Sequence, residues 1–519
     1  MKKKFNTTGP CHPGEHYMLP AQARCGELAG LIAQKDYFVI HAARQTGKTT
    51  LLLDLIKELN GSGDYHALYC SLESVQGIDD AEKGIPAVVE VLKAQTAYDE
   101  ALERYAFAER ADYRANMLLR RTLTDFCKKL GKPLVILFDE ADCLSGGTLI
   151  SFLRQLRDGF VNRNQISFVH SVGLVGMRNI RDYKAQVRDG SQSVGSASPF
   201  NIVKKYMTLR CFTQEETAEL FLQHTEQTGQ AFSPEVTEKI WYHTQGQPWL
   251  VNALACEILE EILGSDFSKE ISPEHAGQAA GNIIRRRDTH IDSLLERLKE
   301  KRVQKIVEPV ITGERRDYDS LGDDCQYVLD LGLLRESSQG LVPSNPIYAE
   351  VIVRTLSFRS QREMDDADYP PKAPAYLRGD ILDMKKLLRD FQSFWRRNSE
   401  IWTEAYQYKE AAPHLILQAF MQRIINQGGR ISRELATGRG RLDLCIHYRN
   451  VSYPIELKLR YGESTYEEGK TQLIRYMEKM ECTEGWLIVF DRRKTPSWDE
   501  KIFWKTATFK GRKIHIVGC

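Results

Sequence analysis

The sequence lacks the features that mark membrane-spanning, secreted or strongly charged proteins. Its 71 basic residues nearly cancel its 70 acidic ones, for a formal net charge of +1. Overall charge therefore indicates no polyanionic partner, and any surface that binds nucleic acid must be local. No stretch approaches the roughly 18 apolar residues of a membrane span, and the Met-Lys-Lys-Lys start has no apolar signal-peptide core. These absences predict a cytoplasmic protein without a membrane partner.

Paired cysteines are also lacking. The 11 cysteines are scattered, odd in number and include no Cys-x-x-Cys pair, which argues against a disulfide framework and for a reducing compartment. Cys11, His12, His16 and Cys25 lie close together, but their spacing matches no usual zinc pattern, so a structural or surface role is favoured. The 519 residues are enough for roughly three or four domains.

One stretch near the N-terminus carries the clearest functional pattern. Residues 38–40 predict a buried strand, and residues 51–56 predict a helix. Between them, residues 42–49 match the P-loop pattern Gly-x4-Gly-Lys-Ser/Thr, with Ala42 in place of the first glycine. Such a loop wraps backbone N–H groups around phosphates at a helix N-terminus, where partial positive charge favours anions. The predicted ATP-binding residues are Ala42, Ala43, Arg44, Gln45, Thr46, Gly47, Lys48, Thr49, Thr50 and Asp139.

An acidic strand end follows about 90 residues later. Five apolar residues, 134–138, lead directly into Asp139 and Glu140. Asp139 is expected to hold Mg2+, through water or together with the Thr49 hydroxyl, and Glu140 to polarise the water that attacks the γ-phosphate. The alternative is a core strand that ends at a solvated acidic turn. Because this strand follows a P-loop, we favour the nucleotide site.

A further apolar strand is predicted over residues 166–175, and it ends just before Arg178. ATPases of the AAA-related classes place a polar residue that senses the γ-phosphate at this point. Arg178 is therefore a candidate sensor or arginine finger, with an ordinary surface arginine as the alternative.

These features together resemble a known clade. The P-loop, the Asp139-Glu140 strand and the turn at Gly246-Gln247-Pro248 are similar to AAA-like ATPases of the STAND and archaeal-ATPase clade, over roughly residues 15–290. The resemblance implies a conformationally switched or homo-oligomeric NTPase with a helical lid. A capping box at Thr213-Gln-Glu-Glu216 marks the start of the first helix of that lid. Residues 291–357 predict helices and a short hairpin, similar to the winged helix that follows the lid in this clade. Acidic residues on the candidate recognition helix favour packing over DNA binding there.

A second charged constellation lies past a charged, proline-rich linker. Residues 438–448 predict a strand with Asp443 near its start, and residues 453–458 predict a second strand with Glu456 and Lys458 on one side. Two carboxylates can hold Mg2+ or Mn2+ against a phosphodiester, and an ammonium can stabilise developing negative charge or position the attacking water. The alternative is the polar face of an ordinary hairpin.

The order of elements around that site resembles the PD-(D/E)XK nuclease superfamily. A strand with an acid, a strand with Glu-x-Lys, a helix with Gln-x3-Tyr and a further strand follow one another. The resemblance implies that Asp443 and Glu456 bind metal, that Lys458 acts in catalysis, and that Gln472 and Tyr476 orient the site or substrate.

One departure from that pattern concerns the helix before the strands. Many members carry a glutamate there, whereas this helix offers Gln418 and Gln422. Glu434, which precedes the Gly-Arg turn, is the candidate replacement carboxylate.

The predicted fold is a multidomain α/β protein. We expect a P-loop parallel α/β ATPase core at 1–210, a helical lid at 211–290, a winged-helix-like unit at 291–360, a linker and connecting helix at 361–400, and an α/β PD-(D/E)XK nuclease-like domain at 401–519. The predicted function is ATP-gated, Mg2+-dependent cleavage of DNA, with RNA left open, in a setting that suits defence against mobile or phage DNA. The main alternative is a nucleotide-dependent signalling or scaffold switch whose nuclease-like domain only binds nucleic acid. A DNA-translocating motor ranks lowest because the sequence lacks helicase motifs.

Overall fold

The computed structural model of the chain forms two compact units. It describes residues 2–97, 102–103, 113–176, 201–286, 289–311, 322–338, 340–353, 355–356, 376–378, 381–404, 412–425, 429–435, 442–448, 451–460, 465–491, 493 and 497–519. The first unit comprises Met1–His290 and Leu329–Gly332, and the second comprises Ile291–Val328 and Leu333–Cys519. Within these described ranges, no helix is both long and apolar enough to cross a membrane.

The first unit is built on a five-stranded sheet in which every pairing is parallel. The strand order is β2-β3-β4-β1-β5, so β4 separates the P-loop strand β1 from the acidic strand β3. The strands are β1 (Tyr37–His41), β2 (His66–Ser71), β3 (Leu134–Asp139), β4 (Ser171–Gly176) and β5 (Val203–Thr208).

Helices cover both faces of this sheet. They are α1 (Leu28–Ala33), α2 (Lys48–Ser62), α3 (Ala81–Ala97), α4 (Ala115–Lys129) and α5 (Gly146–Asn162). One hydrophobic core lies on the side of α1 and α2, and a larger one lies on the side of α3, α4 and α5. Burial on both faces explains why β3 reads as an uninterrupted apolar run rather than an alternating one.

The predicted strand over residues 166–175 begins later in the structure, at Ser171. Ile166 is 37% exposed, so the apolar residue that opened the predicted strand lies outside the buried sheet. Its side chain gave a local hydrophobic signal without being part of the core.

A helical region, residues 214–286, follows the sheet. It contains α6 (Gln214–Thr228), α7 (Pro234–Thr244), α8 (Pro248–Cys256), which continues as a π-helical turn over Glu257–Ile262, and α9 (Pro273–Arg286). The predicted capping box is confirmed. The Thr213 hydroxyl accepts from Glu216 N at 3.1 Å, and the Glu216 carboxylate accepts from Thr213 N at 2.9 Å.

Short helices and one hairpin come next along the chain. The helices are α10 (Thr289–Arg297), α11 (Lys301–Ile311) and α12 (Asp323–Asp330), and residues 346–353 are also helical. Strands β6 (Leu334–Ser337) and β7 (Gly340–Pro343) pair antiparallel, as expected of the wing in a winged-helix-like unit.

The C-terminal part is a six-stranded mixed sheet flanked by helices. Its strand order is β10-β11-β12-β13-β15-β14. Two short strands, β8 (Leu377–Arg378) and β9 (Ile381–Leu382), precede it. The remaining elements are α13 (Met384–Glu404), α14 (Ala412–Ile425), β10 (Gly429–Leu435), β11 (Leu442–Tyr448), β12 (Val451–Arg460), α15 (Thr465–Lys479), β13 (Glu484–Asp491), α16 (Trp498–Lys501), β14 (Trp504–Phe509) and β15 (Arg512–Gly518).

The pairing pattern of this sheet places a crossover helix beside its central strands. β10, β11 and β12 pair antiparallel, whereas β12 and β13 pair parallel and are joined through α15. Apolar residues of α15, β13 and β15 form one core on that face. On the other face, Phe490 contacts Phe391 and Trp395 of α13, with ring centroids 6.1 and 5.2 Å apart. Because alternate strand residues face opposite sides, β13 contributes to both cores.

Candidate functional sites

The first candidate site lies where β1 ends and α2 begins. Helix α2 starts at Lys48, and its N-cap is Gly47 with φ +90. A Cβ on Gly47 would lie 3.0 Å from Arg24 Nη2, so both conformation and space favour glycine at this position. Ala42 is not among the residues with positive φ, which explains why the first P-loop position accepts a side chain.

Lys48 is folded back onto the loop that precedes it. Its ammonium donates to the carbonyls of Ala42 and Ala43, each at 3.0 Å. Burial lowers the pKa of Lys48, while the nearby carboxylates of Glu140 and Asp142 act in the opposite direction. A buried cation that depends on backbone carbonyls is suited to meet an incoming anion.

The structure brings Thr49 and Asp139 together, as the sequence predicts. Thr49 Oγ1 donates to Asp139 Oδ2 at 2.8 Å across 90 residues of sequence. The other carboxylate oxygen, Oδ1, accepts from Glu140 N at 3.0 Å. A hydroxyl and a carboxylate in contact beside a phosphate-binding loop are the donor set expected of a Mg2+-nucleotide site.

Tyr69 is a member of this site that sequence reasoning missed. Its hydroxyl donates to Asp139 Oδ2 at 3.1 Å, because β2 runs beside β3 with Ser71 in register with Asp139. Burial, followed by the charge of Asp139, raises the pKa of Tyr69, so the phenol stays protonated and donates. A tyrosine two residues before the end of a strand gives no signal without the strand order.

Glu140 occupies the turn after β3 with φ 51. Burial raises the pKa of its carboxyl, Lys48 lowers it, and the neighbouring Asp142 and Asp139 raise it further. The Asp142 side chain lies close to Gly176, the last residue of β4, because a Cβ on Gly176 would lie 2.5 Å from Asp142 Oδ1. Arg178, the candidate sensor, lies outside the described residues.

The second candidate site is on β12. Glu456 and Lys458 are 0% and 1% exposed, and Lys458 Nζ lies 2.5 Å from Glu456 Oε1. The Lys458 ammonium also donates to Gln472 Oε1 of α15, so the structure brings together three of the predicted residues. A Cβ on Gly469 would lie 3.1 Å from Lys458 Cγ, which shows how closely α15 covers this pair.

Two further acids align with Glu456 through the strand register. Glu434 of β10 pairs with Asp443 of β11, and Leu444 pairs with Ile455, so Asp443 and Glu456 are the next residues on their strands. For Glu434 and Asp443 the structure describes the backbone only. Tyr476 is half-buried on α15, about one turn after Gln472.

The charged face of β12 continues to its end. Arg460 follows Glu456 and Lys458 at alternate positions, and its Nη1 lies 3.5 Å from Asp491 Oδ2 and donates to Tyr466 OH at 2.8 Å. Arg493 also binds Asp491, with its Nη2 2.7 Å from the carboxylate. Cationic side chains therefore lie along the strand that carries the buried Glu–Lys pair.

One match to a known family covers the segment that contains the first site. Residues 32–183, which contain the P-loop, Tyr69 and the Asp139-Glu140 turn, match the family described as "AAA domain". This segment is a P-loop ATPase domain of the AAA type. Residues 384–494 match a family described as "Domain of unknown function (DUF8371)", and this match spans the elements from α13 to β13. No protein with a curated function matches the sequence significantly.

Solved structures similar to the chain include proteins of Pyrococcus abyssi, Aeropyrum pernix and Thermotoga maritima. The Walker-type ATPase PABY2304 of Pyrococcus abyssi is 12% identical, with 67% of this chain and 99% of that chain covered and a TM-score of 0.46. The ORC1 protein of Aeropyrum pernix, solved in complex with DNA, is 14% identical, with coverages of 66% and 95% and a TM-score of 0.34. The RuvB Holliday junction branch migration motor of Thermotoga maritima is 14% identical, with coverages of 62% and 90% and a TM-score of 0.32.

Proposed function

We propose that the ATPase domain gates Mg2+-dependent phosphodiester cleavage of DNA by the C-terminal domain. In the ATPase domain, Lys48 would bind the β- and γ-phosphates, and the N–H groups of residues 43–49 would surround them. Thr49 and Asp139 fit a Mg2+ ion, since their oxygens already lie 2.8 Å apart. Glu140 would accept a proton from the attacking water, and burial, which raises its pKa, makes the carboxylate a stronger base than an exposed one. Residues 211–290 would act as the lid over this site.

The buried Glu456–Lys458 pair is the observation that carries the nuclease half. Burying two charges costs several kcal/mol per ion, by general estimates, unless geometry or function requires them. Here a fully buried carboxylate follows Ile455, which pairs with Leu444 next to Asp443, and Asp443 in turn pairs with Glu434. Acids at aligned backbone positions of three neighbouring strands, with a lysine two residues after one of them, suit the hydrolysis of a phosphodiester.

Each residue of the second site has a proposed role. Asp443 and Glu456 would hold Mg2+, or Mn2+ in its place, with Glu434 as the additional carboxylate. The bound ion would supply a nucleophile at neutral pH and stabilise charge on the phosphate. Lys458 would stabilise the negative charge that develops on the phosphate oxygens. Gln472 would hold the Lys458 ammonium in place, and Tyr476 would help to orient the site or the substrate.

The helix and strand order supports the same proposal. Helix α14, the antiparallel strands β10, β11 and β12, helix α15 and the parallel strand β13 follow one another in the chain. This order is the one that the resemblance to PD-(D/E)XK nucleases implies. A homo-oligomer and a role against mobile or phage DNA complete the proposal.

Cleavage of supercoiled and linear DNA tests the nuclease proposal. The full chain would be incubated with Mg2+ or Mn2+, with single-stranded RNA as the comparison substrate, and compared with Glu456→Gln. Glu484→Gln is a matched control, since Glu484 is a partly exposed acid that pairs with Lys513 at 2.8 Å on the same sheet. Metal-dependent cutting that Glu456→Gln abolishes and Glu484→Gln retains supports the proposal. Cutting that survives Glu456→Gln refutes the assignment of the site.

A second candidate is a nucleotide-controlled switch whose C-terminal domain only binds nucleic acid. The observation that favours it is that the Lys458 ammonium already contacts both Glu456 and Gln472, and the residue is 1% exposed. A lysine held in this way is not presented to a phosphate. Nucleic-acid binding without cutting under any metal condition would favour this second function.

A further inference from the structure

The carbonyl groups of the P-loop accept hydrogen bonds from the protein at every position from 42 to 47. Lys48 binds the first two carbonyls, and Leu51 N donates to Gly47 O at 3.0 Å within helix α2. Arg24, which is buried, donates through Nη1 to Thr46 O at 2.9 Å. Peptide groups whose carbonyls are bound in this way can donate through their N–H groups to phosphates.

The two remaining carbonyls are bound by a side chain from the helical region. Gln247 Nε2 lies 3.4 Å from Arg44 O and 3.3 Å from Gln45 O. Gln247 is buried, and its other amide atom, Oε1, accepts from Leu250 N at 2.6 Å as the N-cap of α8. One amide group thus joins the P-loop to the first turn of α8.

The chemistry of the amide fixes this orientation. A side-chain amide donates only through nitrogen and accepts only through oxygen, so a flipped Gln247 would turn oxygen toward two carbonyls and lose the cap. The preceding residue fixes the position as well. Gly246 has φ +72, and a Cβ there would lie 1.9 Å from Phe212 O. Phe212 N also donates to Gly246 O at 2.8 Å, which holds the turn against the sheet region.

We propose that Gln247 is a positioning residue that transmits phosphate binding at the P-loop to helix α8. The carbonyl of Gln45 belongs to the same peptide group as the N–H of Thr46, and that of Arg44 to the same group as the N–H of Gln45. When a phosphate accepts from such an N–H, the peptide is polarised and its carbonyl becomes a better acceptor for Gln247. Hydrogen bonds in such a chain strengthen one another by about 10–30% each. The chain ends at Leu250 N, so ATP binding stabilises the start of α8.

The substitution Gln247→Ser separates this role from simple capping. Serine is a preferred N-cap residue and would still accept from the first turn of α8, but its side chain is too short to reach the P-loop carbonyls. Gln247→Ala removes both contacts and reports the additional loss of the cap. Gln214→Ala is the matched control, because Gln214 is an exposed glutamine in the first turn of α6.

Hydrogen exchange of the full chain, with and without a non-hydrolysable ATP analogue and Mg2+, is the direct readout. In the wild type and in Gln214→Ala, the analogue should slow exchange of the amides in residues 250–253. In Gln247→Ser, most of this nucleotide-dependent slowing should be lost, and analogue affinity should fall about 3- to 10-fold, the effect of one net hydrogen bond.

Three results would overturn the proposal. The wild type could show no nucleotide-dependent slowing in α8, or Gln247→Ser could show as much slowing as the wild type. Gln247→Ser and Gln214→Ala could also lose it equally, which would assign the effect to the helical region as a whole.

Discussion

Removing the charge of Lys458 should destabilise the C-terminal sheet strongly, because Glu456 is fully buried 2.5 Å from the Lys458 ammonium. Loss of one partner of a buried ion pair costs about 3–5 kcal/mol. Lys458→Met keeps an unbranched side chain one atom shorter than lysine and removes the charge and its hydrogen bonds. At one order of magnitude per 1.4 kcal/mol, amide exchange in β12 and β13 should accelerate about 100- to 4,000-fold in metal-free protein.

The matching double substitution separates charge from packing. Glu456→Gln combined with Lys458→Met removes both charges, and replacing a whole buried pair is often neutral. Exchange in residues 451–460 and 484–491 should therefore return to within about tenfold of the wild type. Hydrogen exchange on the full chain reports these strands separately from the ATPase domain. If Lys458→Met alone leaves exchange unchanged, the pair is not the buried ion pair described here, and the argument that function retains it loses its basis.

Three further predictions concern the first unit. Gly246→Ala should lower the free energy of unfolding by at least about 2 kcal/mol, because strain from positive φ adds to a close approach to Phe212 O. Gly229→Ala, with φ +80 and no atom within 4 Å of its Cβ, should lower it by only about 1 kcal/mol. Thermal unfolding compares the two variants, and equal losses would refute the contact. Tyr69→Phe should weaken ATP binding about tenfold with Mg2+ and hardly without it, because the lost hydroxyl orients Asp139. Calorimetry measures this against Tyr65→Phe, and an equal loss of affinity with and without Mg2+ would contradict the reason. Because the pKa of Glu140 is raised above the ordinary 4.5, kcat/KM for ATP should fall as pH drops through that higher value, and a pH profile whose acid limb lies at or below 4.5 would exclude Glu140 as the base.

Local sequence patterns predicted the strands and helices that carry the sites. The apolar run before Asp139, the helix over residues 51–56 and the capping box at Thr213 each follow from neighbouring residues. The contact between Thr49 and Asp139 was also expected, because a P-loop and the end of a neighbouring parallel strand lie at the same edge of the sheet. These features depend on periodicity and turn chemistry, which a sequence displays directly.

Long-range partners could not be predicted in the same way. Tyr69 reaches Asp139 because β2 pairs with β3, and Gln247 reaches Gln45 across 202 residues of sequence. Neither residue type is unusual in its local setting. In the C-terminal sheet, the Glu-x-Lys spacing indicated a shared face, but the burial of Glu456 and Lys458 follows from how α15 covers β12. Such contacts are properties of the packed fold.

ATP control of DNA cleavage is the most direct test of the whole account. Cleavage by the full chain would be measured with Mg2+ over a range of ATP concentrations, for the wild type and for Lys48→Ala, whose lost ammonium would otherwise bind the β- and γ-phosphates. The account predicts that ATP changes the wild-type cleavage rate and that Lys48→Ala cuts at a rate independent of ATP. A wild-type rate that ATP leaves unchanged, although ATP is bound, would contradict gating.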